Sequence, residues 1–142
     1  VAVRGGIDCQ TANGKRPVAG VRMHLMEWDV TDPNDILSET TTNNAGVYSL
    51  EGEEDEFSLG PQFYADVWFP YAGPILDQCK NAAYHAQCDA LKPTRRNCHH
   101  VIKMLNVPKD KHYKEDQDKK IHDAGRFLMD TDAISRSYMK CD

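Results

Sequence analysis

Along residues 21–28, Val21, Met23 and Leu25 occupy every second position, with Arg22 and His24 between them. That two-residue period marks a strand with one face buried and the other turned to water. Two further β-prone runs follow at 36–42 and 47–50. Between them stands Asn43-Asn44-Ala45-Gly46, which is hairpin chemistry because Asn and Gly tolerate positive φ. Three strands so close together, with no helical period between them, predict an antiparallel β core. The alternation returns at 63–69, with Phe63, Ala65, Val67 and Phe69 on one face and Tyr64 and Trp68 flanking Asp66 on the other. Residues 1–9 read as a first strand, whose Gly5-Gly6 pair marks a bulge or a close backbone approach. Residues 11–16 read as a turn, 98–107 as a strand ended by Pro108, and 125–130 as a late strand. The predicted inward set is Val21, Met23, Leu25, Val47, Val67, Ile102 and Met104, and a one-residue slip would turn every one of them outward.

The connections are less regular. Residues 70–97 form a long link in which 80–91 are compatible with a short helix, and 109–124 form a charged loop. The whole chain, 1–142, reads as a single domain long enough to bury a core. It holds no apolar run near the roughly 18 residues that span a bilayer. It starts at Val1 with no charged-then-apolar leader, so the expectation is a leader already removed.

Charge and cysteines sharpen this picture. The net charge of −5 conceals ten acids and no Lys or Arg over 27–56, against eight bases and two acids over 79–114. Such a split can orient a protein at an anionic surface. The five cysteines, Cys9, Cys79, Cys88, Cys98 and Cys141, contain no Cys-x-x-Cys and favour disulfides in an oxidising compartment. An odd count leaves one thiol free or bonded to another chain.

For catalysis, no Gly-x-Ser-x-Gly, His-Glu-x-x-His or phosphate-cradling Gly loop occurs. For metal, His85, Cys88, Cys98, His99 and His100 cluster in sequence but fit no standard zinc spacing, and Asp29, Asp32 and Asp35 read equally well as a solvated acidic turn. No metal site is therefore expected. For binding, Trp68, Tyr71, Ile75 and Leu76 are large apolar side chains in or beside a connecting segment, and form a candidate exposed patch. Lys92, Arg95, Arg96 and Lys103, with Lys109, Lys111 and Lys114 beyond, are candidates for meeting anionic lipid or glycan groups. His99 and His100 would add charge below about pH 6.5.

One set of residues carries a resemblance. It comprises Val3-x-Gly5, Cys9, Gly14-Lys15-x-Pro17, Val21-x-Met23-x-Leu25 with Trp28-Asp29, Asp32-Pro33-Asn34-Asp35-Ile36-Leu37, and Thr42-Asn43-Asn44-Ala45-Gly46-Val47-Tyr48-Ser49-Leu50-x-Gly52. Later anchors are Cys98, Val107-Pro108-x-x-x-x-Tyr113 and Cys141. In these the chain resembles the transthyretin-like family of secreted nematode proteins. The resemblance implies an all-β, prealbumin-like sandwich of two antiparallel sheets, stapled by disulfides, extracellular and without a cofactor. It also implies the pairs Cys9–Cys141 and Cys79–Cys98, which leaves Cys88 unpaired or available for a dimer. The chain departs from the family at 63–69, where a Pro-Tyr-x-x-Ile-x-His strand is expected, and in the enlarged loop carrying Cys88. A related fold group hydrolyses hydroxyisourate with a C-terminal Tyr-Arg-Gly-Ser, which is absent here. The expectation is a secreted, non-enzymatic binding module recognising a cell-surface, lipid or receptor partner through Lys92, Arg95, Arg96, Lys103, Trp68 and Tyr71. A carrier of small hydrophobic ligands is the first alternative and an enzyme the second. No nucleic-acid partner is expected.

Overall fold

A computed structural model describes residues 1–11, 13–28, 35–53, 62–70, 73–79, 97–114 and 116–141. Along them run nine strands: β1 (Ala2–Thr11), β2 (Gly14–Pro17), β3 (Arg22–Trp28), β4 (Asp35–Thr41), β5 (Val47–Glu51), β6 (Gln62–Pro70), β7 (Cys98–Asn106), β8 (Ile121–Met129) and β9 (Tyr138–Cys141). Two short helices, α1 (Pro74–Asp77) and α2 (Thr131–Ser135), precede β7 and β9, and a 3-10 turn spans Lys109–Lys111.

The strands form two sheets. One has the order β4-β3-β6-β7-β9. In the other, β1 is central, with β2 and β5 sharing one of its edges and β8 lying along the opposite edge. Every described pairing is antiparallel except β1 with β8, which is parallel. The sandwich is therefore the predicted all-β fold with one parallel seam. Its interior is filled from both sheets by Val3, Ile7 and Leu50 facing Met23, Leu25, Phe63, Phe69 and Ile102, all at most 1% exposed. Each such side chain contributes about 1.5–3 kcal/mol by leaving water.

The expected inward set holds at Val21, Met23, Leu25, Val67 and Ile102. It fails at Val47, which is 40% exposed while Tyr48 and Leu50 are buried. The reason lies across the strand pair. Gly5 is registered opposite Tyr48, and a Cβ on Gly5 would stand 2.7 Å from the Tyr48 hydroxyl. The missing side chain makes room for the ring, so β5 turns its even-numbered residues inward. Met104 is only half-buried, beside a register shift between β6 and β7. The Gly5-Gly6 expectation is met on both counts, since the β1–β8 register shifts between Arg4 and Gly6 and a Cβ on Gly6 would strike the Arg126 guanidinium.

Three segments depart from the sequence reading. The turn expected over 11–16 contains β2, which forms a tight hairpin on β1 with Thr11 opposite Gly14. The charged 109–124 loop ends at Lys120, because β8 starts at Ile121. Neither α2 nor β9 was expected. The helix envisaged over 80–91 lies outside the described residues.

The disulfides are Cys9–Cys79, with Cα atoms 5.9 Å apart, and Cys98–Cys141. The pairs implied by the family resemblance, Cys9–Cys141 and Cys79–Cys98, are thus exchanged. Strand β9 lies antiparallel on β7 and places Cys141 directly opposite Cys98, in a different sheet from Cys9. Cys79 instead follows α1, which is clamped near β1 by Gln78, whose side chain accepts from the Ala19 N–H and donates to the Ala19 carbonyl, both at 2.8 Å. Cys88 lies outside the described residues.

Candidate functional site

Along β3 and β6, Arg22, His24 and Trp28 share the outer face of the five-stranded sheet with Tyr64, Asp66 and Trp68, while Glu27 falls in the inward phase and is buried. Read across the register, Glu39, His24, Asp66 and Lys103 form one row. Thr41, Arg22, Trp68, Val101 and Tyr138 form the next, and Pro70, His99 and Lys140 a third.

The first row has a buried centre. His24 and Asp66 are only 3% and 6% exposed although they point away from the core. The Trp68 ring packs edge-on against His24, with centroids 5.2 Å apart, and covers it. The imidazole Nδ1 stands 3.2 Å from Asp66 and its Nε2 stands 3.1 Å from Glu39. A neutral imidazole can donate from only one nitrogen. Two carboxylates facing both nitrogens therefore need either an imidazolium between them or a proton on one carboxyl group. Burial pushes the Asp66 carboxyl above its ordinary range, against the pull of His24 and of the Trp68 indole. The carboxylates lie on opposite sides of the ring and do not converge on one centre. Among the described residues, no group of three His, Cys, Asp or Glu could hold a metal ion.

The second and third rows surround Trp68 with cations. The Arg22 guanidinium lies 4.3 Å from the Trp68 ring centroid and the Lys140 ammonium 5.4 Å, while Lys103 sits 4.9 Å from the Tyr64 ring. Each such contact is worth about 0.5–1 kcal/mol at an exposed site. Lys103 and Lys140 are exposed, whereas Arg22 is half-buried with its Nε enclosed. Beside this cluster runs an open groove of about 420 Å³. Its floor carries Asp66 and Val101, and its walls are Trp28, Tyr64, Lys103 and Tyr138. Trp28 and Tyr138 are 42% and 59% exposed.

Two of the residues proposed from sequence for partner binding, Trp68 and Lys103, meet on this face. Lys92, Arg95, Arg96 and Tyr71 lie outside the described residues, as does the side chain of Leu76. Ile75 is half-buried and packs on the core cluster, so it is not part of an exposed patch. The zinc reading fails at its described members. Cys98 is disulfide-bonded, and His99 and His100, as neighbours on a strand, face opposite sides of the sheet. His99 approaches Trp68, whereas His100 turns inward, 3.0 Å from the Ser137 hydroxyl. Burial pushes the His100 imidazole down to about 4, so it does not charge near pH 6.5 as a free histidine would. Asp35 opens β4 in solvent, and Asp29 and Asp32 lie outside the described residues.

Arg22, Trp28, Tyr64, Tyr138 and Lys140 were not singled out as site residues. For the first three the signal was present, since they occupy the polar phase of β3 and β6. Tyr138 and Lys140 reach the face only through the four-residue β9, too short to show a period.

The family comparison agrees with the architecture. The transthyretin-like family model matches residues 8–108, from β1 to the end of β7. Over 75 residues the chain is 37% identical to transthyretin-like protein 1 of Caenorhabditis elegans, covering 48% of this chain and 45% of that one. Over 56 residues it is 39% identical to transthyretin-like protein 16 of the same organism, covering 39% of each. The chain thus spans less than half the length of these relatives. Among solved structures, a 9R-lipoxygenase from Cyanothece overlaps at a TM-score of 0.46 and 12% identity, covering 90% of this chain and 16% of that one. With the family match crossing seven strands of a two-sheet, disulfide-stapled sandwich, the chain belongs to the transthyretin-like family.

Proposed function

We propose that this protein is a secreted, non-enzymatic binding module whose five-stranded outer face docks on anionic groups of a cell-surface partner. One observation carries the reading. In a chain of net charge −5, Arg22, Lys103 and Lys140 gather on one sheet face and rest on aromatic rings rather than on carboxylates. Two disulfides suit an oxidising extracellular compartment. Among the described residues no helix is long and apolar enough to cross a membrane.

Each base near an anionic surface contributes about 1 kcal/mol, screened within roughly 8 Å at physiological salt. The test is binding of labelled protein to intact cells as ionic strength rises, comparing wild type with Lys103→Glu/Lys140→Glu. Both lysines are exposed, so the fold is unaffected. Binding that falls with salt and is lost in the double variant supports the reading. Equal binding by the variant, or binding indifferent to salt, removes it.

A further inference from the structure

We infer that the groove beside Trp68 is a subsite for an acidic pyranose glycan, its sugar ring lying between Trp28, Tyr64 and Tyr138 and its acid group reaching Lys140 and Arg22. This rests on the anionic-partner reading and names the chemistry of that partner.

Four observations lead here. The first is the walls. Trp28 and Tyr138 expose a large part of their rings at the groove, and Tyr64 lines it between them. Aromatic faces in water favour ligands with a flat C–H surface, which a pyranose ring has. The second is the polar set. The Gln62 amide, the Asp66 carboxyl, the Lys103 ammonium and the Tyr138 hydroxyl supply both donors and acceptors around one opening, as ring hydroxyls require. At about 420 Å³ the space falls among small-ligand sites.

The third is the spacing of charge. Among the residues lining the groove Lys103 is the cation, and it lies over the Tyr64 ring. Further positive charge lies one and two rows away, on Arg22 and Lys140. Rows on one face of a strand repeat every second residue, about 7 Å. A phosphate needs its cations concentrated at one point, whereas a glycan carrying acid groups at intervals matches cations spread over three rows. The fourth is the backbone. Strands β3, β6 and β7 are interior and hydrogen-bonded on both edges, so an extended peptide could pair only along the outer edges of β4 and β9, away from the groove's centre. An acyl chain would press against the Asp66 and Lys103 heads.

The experiment uses a built-in reporter. The chain has two tryptophans, Trp28 and Trp68, and both stand on this face. Intrinsic fluorescence is followed during titration with a hyaluronan octasaccharide, a polymer of alternating uronic acid and N-acetylated rings. Poly-glutamate of matched charge, neutral chitotetraose and phosphatidylserine vesicles are titrated in parallel. The octasaccharide is expected to shift the emission and to bind at least fivefold more tightly than poly-glutamate or chitotetraose. Trp28→Ala and Tyr138→Ala each weaken it at least fivefold with the salt dependence kept, Trp28→Phe restores most of the loss, and Lys140→Glu lowers the salt dependence.

Equal binding of poly-glutamate, untouched by the aromatic variants, overturns the glycan subsite while leaving the anionic-partner reading intact. Preference for the vesicles overturns it in favour of a lipid headgroup. Absence of a response to any of the four, alongside salt-dependent cell binding, also overturns it. Loss of the cell-binding effect of the lysine variants would instead fell the parent reading.

Discussion

The two sheets turn very different charge to the solvent. On and beside the four-stranded sheet Arg4, Lys119 and Arg126 are engaged by acids, while Lys15 and Arg16 stand exposed on the β2 hairpin. Arg126 donates two 2.8 Å hydrogen bonds to Asp8 and one of 3.0 Å to the Ala45 carbonyl, while Arg4 lies 3.5 Å from Asp123 and Lys119 2.8 Å from Glu51. On the five-stranded sheet, Arg22, Lys103 and Lys140 make no ion pair among the described residues and lie instead over rings. A cation held by a carboxylate has its charge cancelled locally and acts as a clasp, here fastening the turn before β5 to β1 and β8. A cation over a ring is positioned without being neutralised, and so can still attract an anion. The same residue types thus serve structure at Arg126 and leave charge available at Lys103 and Lys140.

The largest expected effect tests the frame that points each face outward. Met23 is fully buried at the centre of β3, and Met23→Asp places an unpaired charge there. A loss of about 4 kcal/mol or more is expected, read as unfolding in a denaturant titration. A variant as stable as the parent would mean that β3 presents the other face, and the comparison between the two surfaces would collapse. Next is the edge of the recognition face. Replacing both Cys98 and Cys141 by Ser frees β9, at a cost of about 2–4 kcal/mol. The same variant should weaken anion binding, because Tyr138 and Lys140 lose their anchorage. Unchanged binding would exclude β9 from the site.

Acidity supplies a third test. The His100 imidazole is pushed down to about 4 in the folded chain, against about 6.5 when free. Between those values the unfolded chain binds more protons, so stability falls as pH drops from about 6.5 to 4, by about 3 kcal/mol. Asp66 works in the opposite direction, since burial raises it and folding then favours its protonated form. His100→Asn should flatten the decline in melting temperature over that window. A profile unchanged by the substitution would assign the acid sensitivity elsewhere.

The smallest effects separate clasp from contact directly. Arg126→Ala should cost about 1 kcal/mol, its partly exposed ion pair being screened but its three hydrogen bonds lost. Lys140→Ala should stay within about 0.5 kcal/mol of the parent while reducing anion binding. Equal stability losses would erase the distinction drawn between the sheets.

How far the site could be read in advance differs residue by residue. Trp68 and Lys103 were legible because a large indole stood next to an apolar connection and a base stood within the base-rich stretch 79–114. The environment of His24 was not, since Glu39 and Asp66 come from strands on either side of it and no local spacing brings them together. The exchange of disulfide partners has the same origin. Cys141 meets Cys98 because β9 closes the edge of one sheet, a fact about distant neighbours.

What the sequence determined by itself was the alternation of faces along most of β3 and β6, though not along β5. The period-two alternation in β3 and β6, the Asn-Asn-Ala-Gly hairpin and the Gly5-Gly6 gap are local, and steric and solvation preferences act on them before any partner arrives. What only the tertiary structure decided was adjacency: the parallel seam of β1 with β8, the inward turn of Tyr48 over Gly5, the pairing of the cysteines, and the gathering of Arg22, Lys103 and Lys140 around Trp68 and Tyr64. Strand period encodes a face but not a neighbour. The neighbour is chosen by burial and cross-strand register summed over both sheets, to which no single segment holds the key.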